Sequence, residues 1–250
     1  MSVNPFSLEG KTILVTGASS GIGRAAAVAA AHMGARIVLT GRNPERLAET
    51  LEQLTTGADH LLIAADLADA AARNNLADAS PVLDGMVHSA GVAAMRPMRM
   101  VNEEHLREML SVNYEAPILL TQRLLARKRF NSAASLVYVT ATAAHLSPLA
   151  TGAYAGAKAA LVSSVRSLAS EHAKSRIRAN CVAPGYVNTP MYTALDGVTS
   201  FEGNHDLFPL GISEPADVAH GIVYLLSPAS RWVTRSTLNI DGGHSLLLRQ

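Results

Sequence analysis

The sequence predicts an α/β fold: a single-domain, doubly wound parallel sheet of about seven strands with helices on both faces. Three observations predict it. Short apolar β-type runs alternate with longer helical patterns along the whole chain, and repeated strand–helix–strand order requires parallel strands joined by crossovers. Runs such as Ile13-Leu14-Val15 are apolar without alternation, as in strands covered on both faces. A chain of 250 residues, 48% hydrophobic and 16% charged, is long and apolar enough to bury a large core.

The elements follow in order. Thr12 to Thr16 is read as a buried strand, and Ile22 to Met33 as an alanine-rich helix ending at Gly34. Arg36 to Thr40 is the second strand. Pro44 to Leu54 is a helix with Asn43 as N-cap and Pro44 at the first helical position. His60 to Ala65 is the third strand, Asp69 to Ala79 a weaker helix and Asp84 to His88 the fourth strand. Glu103 to Lys128 is one long helix that Pro117 is expected to bend. Ser135 to Thr140, Arg176 to Val182 and Ser236 to Asp241 complete the strands. Gly152 to Lys174 and Pro215 to Leu226 complete the helices, the last capped by Ser213. Residues 1–250 read as one domain. Tyr186 to Gly211 is irregular for too long to be a passive connection and is expected to be a substrate flap.

Charge excludes several partners. The 21 basic and 20 acidic residues give a net charge of +1, with no basic stripe and only 4 Phe, 6 Tyr and 1 Trp. Nucleic acid is not an expected partner, because phosphate binding needs clustered cations. Cys181 is the only cysteine, so no intramolecular disulfide can form. No apolar run approaches the roughly 18 residues of a membrane span, and Met1 to Gly10 has no secretory pattern. A cytoplasmic location is expected, with no membrane partner.

Thr16-Gly17-Ala18-Ser19-Ser20-Gly21-Ile22-Gly23 follows the first strand and opens the first helix. Glycines let the backbone approach a pyrophosphate, and the helix N-terminus offers unpaired N–H groups and a positive dipole end. The spacing, Gly-x-x-x-Gly-x-Gly, differs from the commonest dinucleotide fingerprint. A tight turn needing glycine for geometry alone is the competing reading, and the flanking strand and helix favour the cofactor. The second strand ends Leu39-Thr40-Gly41-Arg42-Asn43 without the carboxylate that takes ribose hydroxyls in NAD sites. Arg42 offers a guanidinium for a 2′-phosphate, so the expected cofactor is NADP(H).

Tyr154-Ala155-Gly156-Ala157-Lys158 puts a phenol and an ammonium on one helix face. A cation beside a phenol favours phenolate, and a phenol that exchanges protons suits carbonyl reduction. By itself the pair reads first as an amphipathic surface feature.

Together these residues resemble the short-chain dehydrogenase/reductase family across essentially the whole chain. Gly17, Ser19, Ser20, Gly21, Ile22 and Gly23 match its Rossmann-type cofactor turn. Asp66-Leu67 stands at its adenine contact, and Ser89-Ala90-Gly91 resembles its Asn-Ala-Gly motif with Ser89 in place of Asn. Pro184, Gly185, Val187 and Thr189 resemble the element that contacts the nicotinamide, and Asp241-Gly242-Gly243 its last strand end. The resemblance implies that Tyr154 is the general acid/base, that Lys158 binds the nicotinamide ribose and lowers the phenol pKa, and that Asn113 anchors a proton-relay water. It also implies a homotetramer and a small carbonyl or alcohol substrate.

One position departs. The family's catalytic serine lies thirteen residues before the tyrosine, and here that residue is Ala141, which cannot donate a hydrogen bond. Three readings stand open: a deliberate serine-to-alanine change, a hydroxyl of Thr140 or Thr142 acting instead, or cofactor binding without catalysis, as in a regulator or scaffold. Intact Asn113, Tyr154 and Lys158 favour the first. A dehydratase or isomerase on the same fold has no residue asking for it. His88 and Cys181 read as core residues, His145 as a solvated loop histidine, and His205 and Asp206 lack metal-ligand spacing, so no metal is expected. Met191, Tyr192, Leu195, Phe201 and Phe208 are candidate flap contacts.

Overall fold

The computed structural model describes residues 4–54, 57–194 and 209–247. Seven strands form one sheet: β1 (Thr12–Thr16), β2 (Arg36–Thr40), β3 (Leu61–Leu62), β4 (Leu83–His88), β5 (Phe130–Val139), β6 (Arg178–Pro184) and β7 (Thr237–Ile240). Their spatial order is β3-β2-β1-β4-β5-β6-β7, every pairing parallel. The helices are α1 (Gly21–His32), α2 (Pro44–Glu52), α3 (Ala70–Ala79), α4 (Glu103–Leu110), α5 (Ala116–Ala126), α6 (Ala143–Leu146), α7 (Gly152–Glu171), α8 (Pro190–Thr193), α9 (Pro215–Leu226) and α10 (His244–Leu247).

The strand pattern explains the layers. Ile13 and Val15 of β1 point to one face, where α1 and α9 meet through Ala26, Ala27, Ala30, Val218, Ala219 and Ile222. Leu14 points to the other, with Leu76 of α3, Leu120 and Leu124 of α5, and Leu161, Val162 and Val165 of α7. The alanines of α1 let it lie close to α9 and the sheet. Strand order reverses between β1 and β4, and a crevice opens there at the carboxyl ends of the strands.

Several boundaries differ from expectation. The long helix at 103–128 is two, joined by a π-helical turn at Ser111–Glu115. Pro117 has no N–H to return to the Asn113 carbonyl, so the α-helical ladder cannot run straight through. β3 is only two residues long, although the Ile63 and Ala65 N–H groups still reach the Leu39 and Gly41 carbonyls at 2.9 Å. β5 begins earlier, at Phe130, with Ala133 at φ 64° where its register against β4 shifts. α7 ends at Glu171 and a 3₁₀ turn follows at Ala173–Ser175. The N-cap of α9 is Glu214, not Ser213, and the Asp217 carboxylate accepts from the Glu214 N–H at 2.8 Å. Ser213 is used elsewhere: its N–H and hydroxyl both donate to the Tyr186 carbonyl, at 3.2 and 3.0 Å.

Candidate active site

The crevice is a cleft of about 390 Å³ lined from the segments that follow all seven strands. Its floor is the glycine turn. Gly17 sits at φ 66°, and a Cβ there would lie 2.7 Å from the Ala90 nitrogen; a Cβ on Gly23 would lie 2.2 Å from the Gly17 carbonyl oxygen. Glycine is therefore required by contact between backbones, not only by turn geometry. The Thr16 hydroxyl accepts from the Ser89 and Ala90 N–H groups at 3.2 and 3.1 Å, locking the loop after β4 to the turn. The Ser20 side chain does not cap α1, which leaves the first-turn N–H groups for an anion.

Ser19, Ser20, Gly21, Ile22, Arg42, Asp66, Leu67, Ser89, Ala90, Gly91, Pro184, Gly185, Val187 and Thr189 all line the same cleft. Arg42 is exposed and has no hydrogen bond or ion pair to a described residue. Arg24, by contrast, is tied to the Ser19 carbonyl at 2.7 Å and to Glu49 at 2.9 Å. Gly23 lies beneath the turn rather than on the cleft surface. Gly185 is pinned by its N–H to the Ile240 carbonyl at 3.0 Å, and a Cβ there would meet Asp241 at 2.9 Å.

Tyr154 and Lys158 lie one turn apart on α7 and face the cleft. The Lys158 ammonium donates to the Val139 carbonyl at 3.0 Å and lies 5.8 Å from the centre of the Tyr154 ring. Burial pushes the Tyr154 phenol up to about 12 and pulls Lys158 down to about 8. The expected lowering of the phenol by the lysine is absent from the protein alone. Desolvation of the phenolate outweighs an ammonium that is aimed at a backbone carbonyl rather than at the phenol oxygen.

Asn113 is wholly buried. Its Nδ2 donates to the Val92 carbonyl at 2.9 Å and to the Met109 carbonyl at 3.1 Å, and its Oδ1 accepts from the Val92 N–H at 3.2 Å. The side chain thus clamps the segment after Gly91 to the π-helical turn, a positioning contact that the sequence did not disclose. Ala141 and Thr142 stand at the cleft wall between β5 and α6.

His88 is buried against Tyr138 with ring centres 4.8 Å apart, and its Nε2 meets the Thr121 hydroxyl at 3.0 Å. Burial pulls it down to about 3, so the ring is neutral. Cys181 is buried and its thiol is pushed up to about 12 by the same cause. His145 is exposed and does not line the cleft. Leu195, Phe201, His205, Asp206 and Phe208, the centre of the expected flap, lie outside the described residues. Its two stems are joined: Val187 bridges to Ser213, and the Asn188 N–H donates to the Ser213 carbonyl at 2.8 Å.

The sequence reading named Tyr192 as a flap contact but missed the two residues it clusters with, Tyr186 and His244. Tyr186 meets Tyr192 edge-on at 5.9 Å and His244 at 5.4 Å, and all three line the cleft. Their signal is position: Tyr186 follows Pro184-Gly185, and His244 follows Asp241-Gly242-Gly243. Both stand past strand ends on the cleft side of the sheet. Among the described residues no cluster of three or more His, Cys, Asp or Glu side chains is arranged to hold a metal ion, and no helix is long and apolar enough to cross a membrane.

Known proteins match the chain over nearly its whole length. A family model described as enoyl-(acyl carrier protein) reductase matches residues 17–245. An uncharacterized oxidoreductase of Methylorubrum extorquens is 35% identical over 94% of this chain and 98% of its own. An NADP-dependent (R)-specific alcohol dehydrogenase of Lentilactobacillus kefiri is 30% identical over 95% and 98%. Among solved structures, a candidate NAD(P)-dependent gluconate 5-dehydrogenase of Beutenbergia cavernae, with NADP bound at low occupancy, superposes with a TM-score of 0.87. It is 33% identical and covers 97% of this chain and 100% of its own.

Proposed function

The chain belongs to the short-chain dehydrogenase/reductase family of oxidoreductases, and on that premise we propose that it uses NADP(H) to interconvert a carbonyl and a secondary alcohol on a small neutral substrate. The observation that carries the reading is that Tyr154 and Lys158 open onto the same cleft as the glycine turn and Arg42, which has no partner among the described residues. The residues fit a dinucleotide phosphate: a glycine cradle that a Cβ would fill, uncapped helix N–H groups, and a free guanidinium where an NAD site carries a carboxylate.

When bound, NADP(H) supplies or accepts the hydride at the substrate carbon. Tyr154 gives its proton to the substrate oxygen in reduction and takes it back in oxidation. Burial pushes the phenol up to about 12, so it carries at neutral pH the proton that reduction needs. Lys158 would hold the nicotinamide ribose hydroxyls. The Asn113 side chain is fully engaged with the Val92 and Met109 backbone, and Asn113 is the residue that would anchor a relay water. Arg42, Asp66 and Lys158 are the Arg, Asp and Lys side chains of the described lining, which holds no Glu. Val92, Ala93, Ala94, Met95 and Met191 add apolar surface beside the uncharged hydroxyls of Thr142, Thr151 and Tyr186, which supports an uncharged substrate.

Ala141 favours a second reading, a cofactor-binding protein without turnover. One experiment separates the two. NADPH affinity is measured by fluorescence titration, and NADPH oxidation is then followed with neutral ketones for the unaltered chain and for Tyr154→Phe. Turnover that is lost in Tyr154→Phe with NADPH affinity retained supports the enzyme; binding with no turnover by either supports the second reading.

A further inference from the structure

The wall of the cleft at position 141 suggests how the missing hydroxyl is replaced. Ala141 is 9% exposed and lines the cleft, but a methyl group cannot donate to a substrate oxygen. Two threonines flank it, and the structure separates them. The Thr140 hydroxyl donates to the Val182 carbonyl at 2.9 Å, and that carbonyl also takes the Thr140 N–H at 2.8 Å. Thr140 is therefore spent on holding β5 to β6. Thr151, also on the cleft wall, is likewise engaged, its hydroxyl donating to the Pro148 carbonyl at 2.6 Å.

Thr142 differs. It is only 7% exposed, it lines the cleft, and its hydroxyl makes no hydrogen bond to any described residue. Its backbone is fully used: the N–H donates to the Pro184 carbonyl at 2.9 Å, and the carbonyl accepts from His145 and Leu146 at 2.9 and 3.1 Å. At φ −57° and ψ −28° the residue is helical, and its side chain does not cap α6. The Thr142 oxygen is not sealed from solvent as the unpartnered Thr40 and Thr237 hydroxyls are; it reaches the cleft, where a ligand can complete the bond. Positions 141 and 142 are successive residues of one turn, so their side chains differ by about 100° around its axis, yet both face the same space.

We infer that Thr142 is a catalytic residue whose hydroxyl donates a hydrogen bond to the substrate oxygen in place of a serine at 141. The inference rests on the oxidoreductase reading above. During reduction the carbonyl carbon takes the hydride, the oxygen takes the Tyr154 proton, and the Thr142 O–H stays intact, stabilising the charge that develops on that oxygen.

The test uses the full chain, NADPH and 2,2,2-trifluoroacetophenone, a neutral ketone that accepts hydride readily. The unaltered chain should turn over. Thr142→Val, nearly isosteric, should lower kcat by about 10²-fold with NADPH affinity changed less than about twofold. Thr142→Ser should stay within a few-fold of the unaltered chain, and Ala141→Ser should restore turnover in the Thr142→Val background. Thr140→Val should lower thermal stability and leave kcat nearly unchanged, because its hydroxyl serves the sheet. Full activity in Thr142→Val would overturn the inference. An inert unaltered chain that Ala141→Ser switches on would also overturn it, while leaving the oxidoreductase reading intact. No NADPH oxidation by either protein would overturn both.

Discussion

Truncating Arg42 to alanine isolates the choice of cofactor from the stability of the fold. The side chain is exposed at the cleft and has no hydrogen bond or ion pair to a described residue, so Arg42→Ala should change folding stability by less than about 0.5 kcal/mol. What it removes is a charge-assisted hydrogen bond to the 2′-phosphate, worth about 1.5–3 kcal/mol. The Kd for NADPH should therefore rise about 10- to 160-fold, while the Kd for NADH, which has no such phosphate, stays unchanged. The loss should shrink in high salt, because the cation is open to solvent. Gly41 supplies the converse test. A Cβ there would lie 3.5 Å from both the Leu47 Cδ2 and the Ser19 hydroxyl, ordinary contact distances, so aspartate fits and would offer a carboxylate to the ribose. Gly41→Asp combined with Arg42→Ala should reverse the preference. Calorimetric titration with both cofactors reads each outcome. Equal weakening of NADPH and NADH in Arg42→Ala, or no weakening of either, would refute the reasoning.

Three further outcomes are expected. Gly23→Ala drives a Cβ to 2.2 Å from the Gly17 carbonyl oxygen, so it should abolish cofactor binding and cost about 1–3 kcal/mol of stability by overpacking, seen as a Tm lower by several degrees. Lys158→Met should abolish turnover yet stabilise the cofactor-free protein at pH 7. Burial holds Lys158 near 8, below its ordinary value of 10.5, so the unfolded chain binds the extra proton. Stability then rises with pH between those values, and the penalty is fully present below about 8; a Tm difference between Lys158→Met and the unaltered chain that does not shrink from pH 8 to 10.5 would contradict this. The chain should form a homotetramer by light scattering. Gly156, Ala159 and Ser163 make an exposed small-residue stripe on α7, and a Cβ on Gly156 meets nothing within 4 Å, so Gly156→Leu should break the assembly without unfolding the protomer. A monomeric unaltered chain would refute the stripe's role.

Elements whose cause is local were legible in the sequence. Apolar runs of strand length, the glycine turn, Asn43 ahead of Pro44 and the four-residue spacing of Tyr154 and Lys158 depend on neighbours a few positions away, and a one-dimensional pattern records those. The parallel sheet followed from alternation and handedness alone. Asn113 shows where that ends: its place in a motif was readable, but its clamp on Val92 joins residues 21 positions apart. The π-helical turn came from Pro117 acting on a ladder that neighbouring helices hold in place. The sequence put an ammonium one turn from a phenol, and only the fold decided that the ammonium would face the Val139 carbonyl and that burial would raise the phenol instead of lowering it. It likewise decided that Thr140 would be consumed by β6 while Thr142 was not, and that Tyr186, Tyr192 and His244 would meet. Burial and hydrogen-bond partnership are properties of surfaces brought together from distant segments, and a pair of side chains acquires them only once both segments are packed.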